Sequence, residues 1–594
     1  MEKPTNSWPD TVKARNLLFV GQAIKQLASI DAFESFRMMT LDTVSRISEA
    51  KILVSDIQKG LSKHTFAPVA KELCWSIKSD PVVDHKNHDQ IAHALKYFES
   101  LSINDNTDMS RVYSKLDVLS AKISHDYKSK LETFILANYN IASNRSLTIS
   151  AICHYLAFLV NNKYSRQYIY DTADEIFFLE DVGRATNVKI REFFNKFDLK
   201  DYKYEVYFQV DALAEPYLKD VYNLTVVSAS DVPVAVIASY VMGGLKIHAV
   251  NKFARVDKKA KDMFTAARQT YDEMTSISSV SVISAWDFSL PLPKEFCSYY
   301  KRNQTARAYS INVIDGGSSV KIARSHARGV RESKSDTNNI RNNFDSRSIE
   351  RLHNSISTVS SALETNSYDS RLISIWSSFE SLLSPPPSKS VRILHYIDIV
   401  SPCILAKYPE RSLNSLYNAL IISNRSVFVK LLDDISKDVG ANNSLQLTSL
   451  LFDEKYKEKL EALKKSLASY PLLLHRLEVI HDKFSTPERY VESLSSHKER
   501  VDWQLNRIYR ARNQLVHAGR APAYLEALTV NSFEYYRNAV RHIIGHGTRL
   551  GGINDVDTVV ESVGLNYAGQ LSYVTNLKSA KKFTTITLQK VFFA

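Results

Sequence analysis

Through most of the first 200 residues, apolar positions recur every three to four places. Leu131–Val160 (LETFILANYNIASNRSLTISAICHYLAFLV) is an example, and this spacing predicts helices with one buried face. Near residue 203 the period shortens to two. Tyr204, Val206, Phe208 and Val210 alternate with the more polar Glu205, Tyr207 and Gln209, which predicts a half-buried strand. AYSINVIDGGSSVKIARS (308–325) predicts a hairpin turned by Asp315-Gly316-Gly317. Ser325–Arg347 is polar, rich in Asn and Arg and poor in apolar residues, so it predicts a domain boundary or an exposed loop. Helical spacing returns from about 346. SIERLHNSISTVSSALE and SRLISIWSSFESLLS form a pair, the second ended by Pro385-Pro386-Pro387, because proline cannot donate into the helical ladder. A long helical stretch follows from about 390 to 498, with breaks at Asn442/Asn443 and Pro487. Two further helices, ERVDWQLNRIYRARNQLVHAG and PAYLEALTVNSFEYYRNAVRHII, are separated by Gly519 and Pro522.

The fold class expected is therefore mainly α with a smaller α/β module. A helical N-terminal region covers 1–200, and a mixed α/β module, read as a sensor or regulatory domain, covers 201–335. A helical domain follows over 346–548, then a C-terminal extension over 549–594.

Composition narrows the classes. Hydrophobic residues make up 44% and charged residues 24%, a globular balance, and Gly and Pro stand at 16 each among 594 residues, which excludes collagen-like chains. Four cysteines (Cys74, Cys153, Cys297, Cys403) lie far apart with no CxxC pair, against both a disulfide framework and a cysteine zinc site. The 76 Lys plus Arg against 64 Asp plus Glu leave 76 − 64 = +12, a surface that favours polyanions. The N-terminus, MEKPTNSWPDTVKARN, has no basic-then-apolar leader pattern, and the longest apolar run, Val232–Gly244, is shorter than the ~20 residues a membrane span needs. The expectation is a cytoplasmic protein with no membrane partner.

Chemistry concentrates in Arg507–Gly519. On a helix, Leu505, Ile508, Arg512 and Leu515 are spaced 3, 4, 3 and share a face, so an arginine sits on an otherwise apolar stripe. Such a charge is costly unless paired. Ile373, Trp376, Glu380 and Leu383 repeat the spacing with an acid in the charged place, which predicts an Arg512–Glu380 pair. A second stripe, Asn506, Arg510, Asn513 and His517, puts Asn513 and His517 one turn apart, with His517 at the helix end just before Gly519.

An R-N-x-x-x-H run at a helix end, preceded by RIYRA and followed by a glycine-terminated turn, resembles the HEPN superfamily. More narrowly, YPLLLHRLEVIHDKFSTPERYVESLSSHKERVDWQLNRIYRARNQLVHAG is similar to the Apea-like HEPN proteins of bacteria, and IWSSFESLL resembles their earlier tryptophan-and-glutamate helix. The resemblance spans roughly 346–548 and is strongest over 470–546. The long helical stretch between the two signature helices departs from a minimal four-helix unit. The resemblance implies an antiparallel helical bundle and a metal-independent endoribonuclease. No cofactor is implied, since the RNA 2′-OH is the nucleophile and histidine can move its proton. The catalytic residues implied are Arg512 and His517 with Asn513 assisting, Glu380 positions Arg512, and Arg510 and Arg507 bind the RNA backbone. The RNA class (tRNA, mRNA or rRNA) stays open. A homodimer or larger even-numbered assembly is implied, with two motifs facing one cleft. The motif helix and Pro522–Ile544, carrying Phe533, Tyr535, Tyr536 and Val540, are the surfaces expected to meet. Such proteins serve in anti-phage defence or toxin-like growth arrest, so the N-terminal region is expected to sense a trigger, such as a phage-derived one, or to restrain the nuclease. The alternative is a non-catalytic HEPN scaffold that binds RNA or protein.

Other groups carry weaker signals. His85, His88 and His93 lack an accompanying acid or cysteine cluster and read as a loop entering a helix. Gly316-Gly317-Ser318-Ser319 lacks the phosphate-loop pattern GxxxxGK[ST]. Lys301–Arg351 holds eleven Lys/Arg against five Asp/Glu, which fits either an RNA guide or a basic surface loop. Cys153 and His154 lie in an apolar helical run, where core packing is the default.

Overall fold

In a computed structural model, the protein is mainly helical and carries one small antiparallel sheet. The structure describes residues 11–29, 38–179, 187–210, 215, 218–219, 224–247, 252–284, 293–310, 322–365, 367–386, 392–440, 442–577 and 583–593. No helix among the described residues is long and apolar enough to cross a membrane.

The N-terminal helices enclose a core that runs from Leu17 to Phe197. One residue from far along the chain, Leu472, belongs to that core, so the described N-terminal helices pack directly against the C-terminal helices. Within it His154 is buried and hydrogen-bonded to the Tyr127 hydroxyl at 3.1 Å, beside Asp80. Burial pushes the Cys153 thiol up to about 12, so neither residue is poised as a nucleophile. His88 precedes the helix Asp89–Ser100.

The sheet comprises β1 (Tyr202–Val210), β2 (Thr225–Val227), β3 (Lys252–Ala260), β4 (Glu295–Tyr300) and β5 (Thr305–Ser310), in the order β2-β3-β1-β4-β5. Every pairing is antiparallel, with Val206 opposite Val256 on one side and Ser298 on the other. The predicted strand stands at β1, but both of its faces are covered. Tyr204, Val206, Phe208 and Val210 pack with Ala266, Ala267, Tyr271 and Met274 of the helix Met263–Ser284. Tyr207 packs on the opposite face with Val236 and Tyr240 of the helix Val234–Met242. Asp262 caps Met263–Ser284 through the backbone N–H groups of Phe264 and Thr265 and also accepts from Ser165 N–H at 2.7 Å, tying the sheet to the N-terminal helices.

Two expectations are corrected here. The hairpin lies one step earlier than predicted, between β4 and β5, and turns through Lys301–Gln304 with Gln304 in the left-handed region (φ 50°). The glycines Gly316 and Gly317 lie outside the described residues, and residues 322–325, expected as a strand, begin a helix. That helix, Ile322–Asn343, replaces the predicted loop. It holds few apolar residues. Ile340 is buried near its end, and Glu332 pairs with Arg541 at 3.1 Å.

The C-terminal helices share one core from Ile340 to Phe592. From 549–594, expected as an extension, the described residues Val556, Val559, Val563, Leu588 and Phe592 belong to that core. The expected helix breaks are present: Leu382 ends Tyr368–Leu382 ahead of the prolines, Asn442 caps Asn443–Phe452, and Pro487 opens the motif helix Pro487–Ala518.

Candidate functional site

The motif helix ends as its sequence requires. Gly519 adopts the left-handed conformation (φ 59°), and its N–H closes back onto the Leu515 carbonyl. Leu505, Ile508 and Leu515 are buried, and Arg512 shares their face with its side chain 19% exposed. The facing helix Tyr368–Leu382 buries Trp376 and supplies Glu380, 13% exposed. Arg512 Nη2 donates to Glu380 Oε2 at 3.2 Å, and Arg512 Nη1 donates to Asn513 Oδ1 at 3.0 Å. The pair read from two apolar stripes is therefore formed. Arg512 Nε is buried without a hydrogen-bond partner among the described residues.

Two groups beside Glu380 were not anticipated. Trp376 Nε1 donates to Glu380 Oε1 at 3.1 Å, and Arg392 Nη2 lies 3.2 Å from the same oxygen. The four-residue spacing of Trp376 and Glu380 was a signal for the first contact. Arg392 comes from the next helix, Arg392–Leu405, and nothing local in its sequence marks it.

His517 is exposed at the helix end and has no hydrogen-bond or ion-pair partner among the described residues. Five residues on from Arg512, it lies about 7.5 Å farther along the axis and roughly 140° around it. One chain thus presents an anchored guanidinium and, more than a third of a turn away around the helix, an open imidazole.

Arg507 and Arg510, expected to meet RNA, are engaged internally. Arg507 is 1% exposed; its Nε and Nη2 grip both oxygens of Glu49 at 2.9 and 2.8 Å, and Nη2 also reaches Glu72. Arg510 Nη2 donates to Glu49 Oε1 at 2.8 Å, and Tyr524 donates to the same oxygen at 3.2 Å. Burial alone would raise the Glu49 carboxyl, but Arg507 and Arg510 hold it down to about 2. Burial opposes the charge on Arg507 as well, yet Glu49 and Glu72 keep its pKa well above the usual value. Glu49 lies on the helix Thr43–Gln58 and Glu72 on Phe66–Ser79. Each is an acid on a largely buried face, the signal that had identified Glu380, so both were discoverable.

The expected dimer surface is corrected in part. Tyr536 and Val540 belong to the core, where the Tyr536 hydroxyl sits 2.7 Å from Ser355 Oγ and its ring meets Phe379 at 5.3 Å. Phe533 and Tyr535 pack against that core.

Fold and site together define a mainly helical protein with an arginine–carboxylate pair and an exposed histidine at the end of one long helix. Compared with known proteins, the chain matches no family model, no curated protein and no solved structure.

Proposed function

We propose that the C-terminal helices form a HEPN-type bundle with a long helical insertion, and that the protein is a metal-independent endoribonuclease. The observation that carries this reading is the Arg512–Glu380 pair, held at 3.2 Å on the same helix that ends in the exposed His517. Glu380 and Asn513 fix the Arg512 guanidinium, which neutralises a scissile phosphate and the charge that develops on its oxygens. The RNA 2′-OH attacks the adjacent phosphorus while its proton passes to a His517 imidazole. The P–O5′ bond breaks, and the 5′ oxygen takes a proton from a second His517, supplied by another copy of the chain. The products are a 2′,3′-cyclic phosphate and a 5′-OH. In the cell this activity serves anti-phage defence or growth arrest, with the N-terminal region sensing or restraining.

The mechanism predicts cleavage that survives EDTA and fails on DNA or on RNA with a 2′-deoxy at the cut site. End-group analysis of the products checks it, and loss on chelation with rescue by magnesium overturns it. A second reading, a HEPN-fold scaffold that binds without cutting, is favoured by the internal engagement of Arg507 and Arg510. Wild type and His517→Ala, expressed at matched levels and followed for growth and RNA integrity during phage infection, separate the two. Equal outcomes support the scaffold.

A further inference from the structure

Arg507, Arg510, Gln514 and His517 are spaced 3, 4, 3 and form one stripe of the motif helix, running about 15 Å along its axis. The first three are covered by the N-terminal helices. Glu49 and Glu72 take Arg507, Glu49 also takes Arg510, and Asp56, two turns on from Glu49, accepts from Gln514 at 3.3 Å. Only the last member of the stripe, His517, is exposed.

Two features give this contact the character of an occupied anion site. Arg507 holds Glu49 through a two-pronged grip, Nε and Nη2 on two oxygens, the same fork that arginine offers to phosphate. Arg507 Nη1, fully buried, has no hydrogen-bond partner among the described residues. A buried guanidinium N–H left without an acceptor is costly, and a phosphate group, with more acceptor oxygens than a carboxylate, could satisfy it.

We propose that the stripe Arg507–Arg510–Gln514 is a binding surface for the phosphodiester backbone of single-stranded RNA, and that Glu49, Glu72 and Asp56 occupy it in the resting chain in place of phosphates. The identity of the polyanion rests on the ribonuclease reading. Displacing Thr43–Gln58 together with Phe66–Ser79, which carries Glu72, uncovers a cationic track that leads to His517, so the contact that masks the track also restrains the site. The Trp75–Trp503 ring contact at 5.7 Å and the buried ion pairs hold the mask closed.

Fluorescence anisotropy on the full chain, with a 2′-O-methyl oligonucleotide that cannot be cut, tests this. Glu49→Gln/Glu72→Gln should bind about tenfold more tightly than wild type, with a log–log salt slope steeper by about 1.4, for two added phosphate contacts at ~0.7 each. Adding Arg507→Ala/Arg510→Ala to that variant should abolish the gain. Unchanged affinity in a folded Gln variant, or a gain that persists without the arginines, overturns the proposal. Should the Gln variant not fold, hydrogen exchange on wild type decides. Oligonucleotide at high concentration should speed exchange in Thr43–Gln58, and unchanged exchange there counts against the proposal. A Gln variant that binds tightly yet leaves ordinary RNA intact would keep the surface and remove the nuclease reading.

Discussion

Glu380 holds Arg512 at one oxygen and Trp376 and the half-exposed Arg392 at the other, so removing its carboxylate strands the Arg512 and Trp376 donors together. A fully buried pair broken on one side costs ~3–5 kcal/mol. Here the partners are 13% and 19% exposed, and water recovers part of that loss. Between that limit and the ~0–1 kcal/mol of an exposed pair, Glu380→Ala should destabilise the fold by about 1–3 kcal/mol. It should also reduce cleavage, because Arg512 loses its aim. His517→Ala touches no partner among the described residues and should abolish cleavage with the melting temperature unchanged. Thermal melts and cleavage assays on both variants check this. A Glu380→Ala protein that melts like wild type would show that the pair contributes nothing to the fold.

At the scale of elements, the motif helix depends on its C-terminal stop. Gly519 sits at φ 59°, where a side chain adds strain, and nothing lies within 4 Å of a Cβ placed there. Gly519→Ala should therefore cost about 1 kcal/mol through backbone conformation alone, with no clash. Denaturant unfolding measures this, and a larger loss would point to an unseen packing role. The stop was legible in the sequence because glycine supplies that conformation, and the Arg512–Glu380 pair was legible because a charge interrupted each of two apolar stripes. Other features were less so. Tyr207 counts as polar in an alternation pattern, yet its ring is buried under Val234–Met242, so a strand covered on both faces read as half-buried. The β4–β5 turn uses Arg302, Asn303 and Gln304 and lacks the glycine that announces a hairpin. Ile322–Asn343 has no continuous apolar stripe and is rich in Ser and Asn, so neither periodicity nor propensity marked it as a helix. Glu49 and Glu72 carried the same stripe signal as Glu380, but the Arg507 they share lies more than 430 residues away and no local pattern links them to it.

Across the whole molecule, buried imidazoles set the acid limit. Burial, with nearby Arg145, lowers His475 to about 4. Burial, together with Arg549, Lys407, His546 and Arg411, lowers His542 to about 3, and burial with Arg500, Lys483 and Arg411 takes His497 well below 6.5. The unfolded chain binds more protons than the folded one between those values and 6.5. Stability from these groups is thus full above about pH 6.5 and declines as pH falls toward 4 and then 3. Glu49 adds a lower window, full above its ordinary 4.5 and lost as pH falls toward about 2. Melting temperature measured from pH 8 to pH 4 should start to drop near 6.5; a flat profile to pH 5 would contradict the imidazole account. Assembly is the other property of the whole chain. A single motif offers one imidazole for two proton transfers, so the proposed reaction needs a second copy. A two-fold contact is self-complementary and can bring the same surface of each chain together. Tyr536 and Val540 are spent in the core, which leaves the end of the motif helix, where Val516 is 47% exposed next to His517. Cleavage should therefore require a dimer formed through that end. Specific activity should fall on dilution in step with the dimer fraction seen by sedimentation, and Val516→Asp should weaken both without changing the melting temperature of the monomer. A monomer with full specific activity at every dilution would rule out the two-copy site and leave one His517 to carry both protons.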